Sequence, residues 1–75
     1  QSKETVCHEI FRQTRRERDS LPGYKLVISA HPAGCDMLER EERASVDEAA
    51  RRFQRRIELS PRNDYHLEQF DLTGG

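Results

Sequence analysis

Tryptophan is absent from this chain, cysteine occurs twice, methionine once, and aromatic residues make up only 7% of it. A core dominated by large side chains is therefore excluded. Apolar residues account for 33% and charged residues for 36%, against about 45–50% and about 25% in an ordinary globular domain. A thin core and marginal stability without a partner are the consequence. Leu, Ile, Val and Phe supply 15 of the 75 residues, the edge of the composition at which chains stay disordered, but disorder also wants an excess of one charge and the net charge here is −1. A weakly folded chain is expected rather than an unfolded one. No apolar run approaches the length that spans a bilayer, and no signal-peptide stretch is visible, so a soluble protein with no membrane contact is expected. Two cysteines are fewer than a secreted scaffold of this size carries, which points to a reducing, cytoplasmic setting. Seventy-five residues make one small domain, 1–75, too small for most self-contained enzymes. The first residue is Gln1, so a start that is trimmed, processed or cut from something longer is expected.

What is present is charge arranged on short amphipathic segments. Residues 2–18 read as a helix capped by Ser2, with Glu4 in the first turn and Val6, Cys7, Ile10, Phe11 and Thr14 on one face. Leu21-Pro22-Gly23 ends it in a turn. Tyr24 to His31 is rich in β-branched and aromatic residues and reads as a strand. Pro32-Ala33-Gly34 is expected as a turn, after which Asp36 to Ala44 is open between helix and a charged edge strand; the hairpin is preferred. Ser45-x-x-Glu48 has the form of a capping box, and Val46, Ala49, Ala50, Phe53 and Ile57 continue at helical spacing to about residue 58. Ser60 to Asp64 reads as a loop, Tyr65 to Leu72 as a last strand, and residues 73–75 as a flexible end. The expected fold is α+β in two layers, in the order α-β-β-α-β: a small antiparallel or mixed sheet covered on one face by two amphipathic helices.

Eleven of the thirteen basic residues are Arg, and guanidinium groups grip phosphates with paired donors. On the second helix, Arg51, Arg52, Arg55 and Arg56 share one side, but Asp47 and Glu48 stand four residues before Arg51 and Arg52, the favourable order for ion pairs. Arg55 and Arg56 are thus left free, and with Arg12, Arg15 and Arg16 of the first helix they form the candidate polyanion-binding set. A net acidic chain of pI about 6.3 is an unusual nucleic-acid binder. Residues 36–48 hold six acids and two bases, an acidic middle between basic helices that suits intramolecular neutralisation, self-association or a protein partner of matching pattern.

Cys7, His8, His31, Cys35 and His66 are zinc-ligand types, yet Cys7 and His8 point about 100° apart on a helix and no short ligand pair completes a site. A Cys7–Cys35 bridge or a Cys–His dyad is open on residue type alone. His31-Pro32-Ala33-Gly34-Cys35-Asp36 is similar to the His-Pro-x-Gly-x-Asp turn of small all-helical immunity proteins that inhibit nuclease bacteriocins. Gly74-Gly75 looks like the processed end of ubiquitin-like modifiers. Each resemblance stops at those residues and no function is carried over. Phosphate-loop, dinucleotide and calcium-loop motifs are absent. We expect no catalytic residues and no cofactor or metal. The function expected is that of a non-enzymatic interaction or regulatory domain, self-associating as a homodimer or binding a protein partner. Its contact would be the edge of the last strand, through Tyr65, Leu67, Phe70 and Leu72; the alternative is a nucleic-acid-binding module.

Overall fold

A computed structural model describes residues 2–75. Six elements follow one another: α1 (Lys3–Glu17), β1 (Lys25–Ala30), α2 (Pro32–Glu39), α3 (Arg43–Phe53), β2 (Arg56–Pro61) and β3 (Phe70–Gly74). The α+β class is as expected, with a mixed three-stranded sheet in the order β2-β1-β3. Three helices are present instead of two. β1 runs parallel to β2 and antiparallel to β3. A parallel neighbour requires a crossover, and α2 with α3 supplies it.

α1 begins as its sequence dictates. The Ser2 side chain accepts from the Thr5 backbone N–H at 3.2 Å, and Val6, Cys7, Ile10 and Thr14 form its buried face. Thr14, polar and buried, donates its hydroxyl to the Ile10 carbonyl at 2.7 Å.

The hairpin expected over residues 36–44 is overturned. His31 Nδ1 accepts from the Ala33 N–H at 3.0 Å, which caps α2. Pro32 occupies its first turn, where a missing N–H costs no hydrogen bond. Pro32-Ala33-Gly34 therefore starts a helix rather than turning the chain. Arg40 with Asp36 and Arg43 with Glu39 form pairs four residues apart, and Cys35 and Leu38 are buried.

The capping box at Ser45 is also corrected. α3 starts at Arg43 with Glu42 in the cap position and no side-chain cap bond, so Ser45 lies within the helix. Its end comes early: Gln54 adopts the left-handed conformation at φ 55°, and Ile57, expected on the helix, lies in β2 opposite Leu26. The last strand is shifted too, since it spans Phe70–Gly74 and leaves Tyr65 and Leu67 in the preceding loop. Thr73 and Gly74, expected in a flexible end, pair with Val27 and Leu26.

One face of the sheet carries the core. Val6, Cys7 and Ile10 from α1, Ile28 and Ala30 from β1, Cys35 and Leu38 from α2 and Val46 from α3 are buried together. Phe11, Met37, Ile57, Leu59, Phe70 and Leu72 pack around them. Alternation along β1 turns Lys25, Val27 and Ser29 to the other face, where their register partners are Arg56, Glu58 and Ser60 on β2 and Thr73 and Asp71 on β3. That face is polar and bears no helix.

The last described residues meet the segment between α1 and β1 through glycines. Gly23 has φ +81°, a conformation that side chains disfavour, and a Cβ there would collide with the Gly75 carbonyl. A Cβ on Gly74 would collide with the Pro22 carbonyl. The close approach lets Gly75 accept from the Tyr24 and Lys25 amides and donate to the Lys25 carbonyl at 3.0–3.2 Å.

Candidate functional site

β3 is an edge strand, with β1 on one side and no strand on the other. Of its five residues only Asp71 is charged. β2, the opposite edge, carries Arg56 and Glu58 and ends at Pro61, features that blunt strand addition. The bare edge is therefore β3. Phe70 and Leu72, expected at a partner surface, turn inward and pack on the core. Leu67 is 52% exposed in the loop beside β3. Tyr65 donates its hydroxyl to Asp71 Oδ2 at 2.5 Å, which fastens the loop to the sheet, while the Arg62 guanidinium lies 5.3 Å from the Tyr65 ring centre. The bond to the Asp71 carboxylate raises the Tyr65 phenol above its ordinary range. The four residues thus divide: two form the inner face of the edge strand and two flank it.

The arginines are mostly committed. Arg12 donates twice to Glu9 at 2.7 and 2.9 Å, and this pairing holds the Glu9 carboxyl below its usual range. Arg52 pairs with Glu48 at 2.9 Å, as the spacing predicts. Asp47, expected to pair with Arg51, instead meets Arg43 at 3.3 Å. Arg18 covers the Phe53 ring at 4.7 Å, tying the ends of α1 and α3 together. Arg15 and Arg16 are exposed on α1.

Arg55 is not free. Its guanidinium donates to the carbonyls of Arg18 at 2.6 Å, Leu21 at 2.8 Å, Pro22 at 2.9 Å, Tyr24 at 3.2 Å and Lys25 at 3.4 Å. They run from Arg18, the cap residue of α1, whose carbonyl lacks a helical partner, through the joining segment to Lys25, the first residue of β1. The left-handed turn at Gln54 aims Arg55 at them. No local pattern reveals such a site, since the partners lie 30–37 residues earlier and are backbone atoms.

What remains around Arg55 is an open groove of about 600 Å³ between α3 and β2, lined by Tyr24, Arg51, Arg56 and Glu58 among others. Tyr24 is 64% exposed. The sequence pairs Arg51 with Asp47 within the helix and counts Tyr24 as the first residue of a strand, so neither stands out as a site residue. A narrower cleft of about 260 Å³ lies between α1 and α3 over Ile28 and Ile57, with Phe11, Phe53 and Ala49 in its walls.

Cys7 and Cys35 are free and buried. Burial pushes the Cys7 thiol up to about 11, and burial likewise raises Cys35, whose thiol donates to the Ala30 carbonyl. Raised thiols are poor nucleophiles at neutral pH. His31 spends Nδ1 on its helix cap. Among the described residues, no three His, Cys, Asp or Glu side chains are grouped to hold a metal ion. Nor is any described helix long and apolar enough to cross a membrane.

No family model matches the chain and no solved structure matches it. Among curated proteins it is similar to ribonuclease G of Escherichia coli (strain K12), with 30% identity over 70 residues. It is similar to the same extent to ribonuclease G of Shigella flexneri. The aligned segment covers 93% of this chain but only 14% of each relative. The likeness therefore takes in most of this chain and leaves most of the relatives' length outside it.

Proposed function

We propose that this domain is a non-catalytic interaction module of a ribonuclease-like protein, joining a second protein chain by strand addition at β3. In the simplest case that chain is another copy of the domain. The observation that carries the reading is the bare outer edge of β3, which offers backbone donors and acceptors with one charge to deter pairing. Leu67 beside it adds apolar area, and association adds the buried surface that a thin core lacks. The match to a short segment of ribonuclease G supports the setting. Catalysis belongs outside this segment, in keeping with two protonated, buried thiols and a histidine engaged as a cap. A reducing, cytoplasmic location fits the same free thiols. A second reading, contact with nucleic acid, draws on the guanidinium groups left at the opposite edge of the sheet.

Light scattering after size exclusion tests the first reading. The wild-type domain is expected to show a mass that rises towards the dimer with concentration. Leu67→Glu and Thr73→Lys, both at exposed positions, are expected to return it to the monomer with the fold intact. Phe70→Asp is a poor probe, because Phe70 packs on the core. A wild-type monomer at every concentration, or variants that associate as before, contradicts strand addition by a second copy.

A further inference from the structure

We propose that the groove between α3 and β2 binds a single-stranded polynucleotide, with Tyr24 stacking on a base and Arg51 and Arg56 holding the adjoining phosphates. This site lies at the β2 edge and does not depend on association through β3.

Tyr24 is the most exposed large hydrophobic side chain among the described residues. An exposed ring beside cationic side chains has the chemistry of single-strand binding, where aromatic stacking and phosphate contacts act together. The backbone that carries the ring is held in place. Arg55 Nε binds the carbonyl of Tyr24 itself, and its other donors clamp the backbone on both sides of that residue. With the backbone held this way, a base settling on the ring has only side-chain freedom to restrict.

Charge in the groove favours an anion. Arg43, Arg51, Arg55 and Arg56 line it against Asp47 and Glu58. Arg43 is engaged by Glu39 and Asp47 at 3.0 and 3.3 Å, and Arg55 by backbone carbonyls. Arg51 is exposed at the last turn of α3 and forms no ion pair among the described residues. Arg56 is 67% exposed, and its contact with Glu58 is 3.5 Å while Lys25 reaches the same carboxylate at 3.6 Å. Exposed pairs of that kind contribute little, so Glu58 can stay with Lys25 when Arg56 turns to a phosphate. One ring and an open, shallow groove suit an unpaired strand, whose bases are free to stack, better than a duplex.

The test is fluorescence anisotropy with a short labelled polyuridylate strand and the whole 75-residue chain, between about 50 mM and about 200 mM salt. Binding is expected at the lower salt and lost as salt rises. Tyr24→Ala is expected to weaken it about tenfold. Arg51→Ala is expected to weaken it and to reduce the salt slope by about one. Both positions are exposed, and circular dichroism verifies that the variants keep the fold. Absence of binding at about 50 mM salt overturns the proposal, as does binding that neither substitution alters. Equal affinity for polyglutamate, insensitive to Tyr24→Ala, reassigns the groove to acidic protein and also overturns it. Since Leu67→Glu and Thr73→Lys lie at the other edge, they are expected to leave the strand affinity unchanged.

Discussion

Arg55 reaches more backbone carbonyls than any other charged side chain described. Its guanidinium bonds the carbonyl at the end of α1, three more before β1 and that of Lys25 at the start of β1, so one side chain ties together the segment that lacks secondary structure. Lysine offers a point charge without the planar fork. Arg55→Lys is therefore expected to lower stability by about 1–3 kcal/mol, read as a lower denaturant midpoint; an unchanged midpoint would show the cage to be incidental. Cys7 gives a pH-dependent expectation. Its thiol ionises near 9 when the chain is unfolded and at about 11 when folded, so its contribution is fully present below about pH 9. That contribution is lost as pH rises towards about 11. Cys7→Ala is expected to flatten the fall in stability over that window, measured by urea titration at each pH.

At the level of elements, the close approach of Gly23 to Gly75 and of Gly74 to Pro22 sets how β1 and β3 begin and end together. Gly74→Ala drives a methyl group into the Pro22 carbonyl, so we expect a clear loss of thermal stability and faster amide exchange in both Lys25–Ala30 and Phe70–Gly74. A neutral substitution would mean that the two segments part without cost. The same elements show what was legible beforehand. α1 and β1 follow from local patterns, a Ser2 cap with a helical apolar stripe and a run of strand formers. Residues 36–44 did not, because His31 caps α2 through a ring nitrogen and Pro32 reads equally as turn or helix start. α3 was extended too far, since Ile57 continues the helical spacing while Gln54, neither Gly nor Asn, takes the left-handed conformation that ends the helix. The candidate edge was half legible: Phe70 and Leu72 are in β3, but their side chains serve the core, and the charge-poor outer edge depends on a strand order that no local pattern specifies.

For the whole molecule, the two edges of one sheet differ. β3 is bare, the edge proposed above to meet a protein chain; β2 lies beside the cationic groove proposed to hold a polynucleotide. The polar, helix-free face between them keeps the two apart. A domain with so thin a core gains stability from any partner that binds only its folded state. The most direct measurement of the central claim is amide exchange of residues 70–74 across a dilution series, followed together with mass by light scattering. Strand addition predicts that the outward-facing amides of β3 gain protection as concentration rises, in step with the mass, while β2 is unaffected. Protection of β3 that stays constant with concentration, in a chain that remains monomeric, would contradict it.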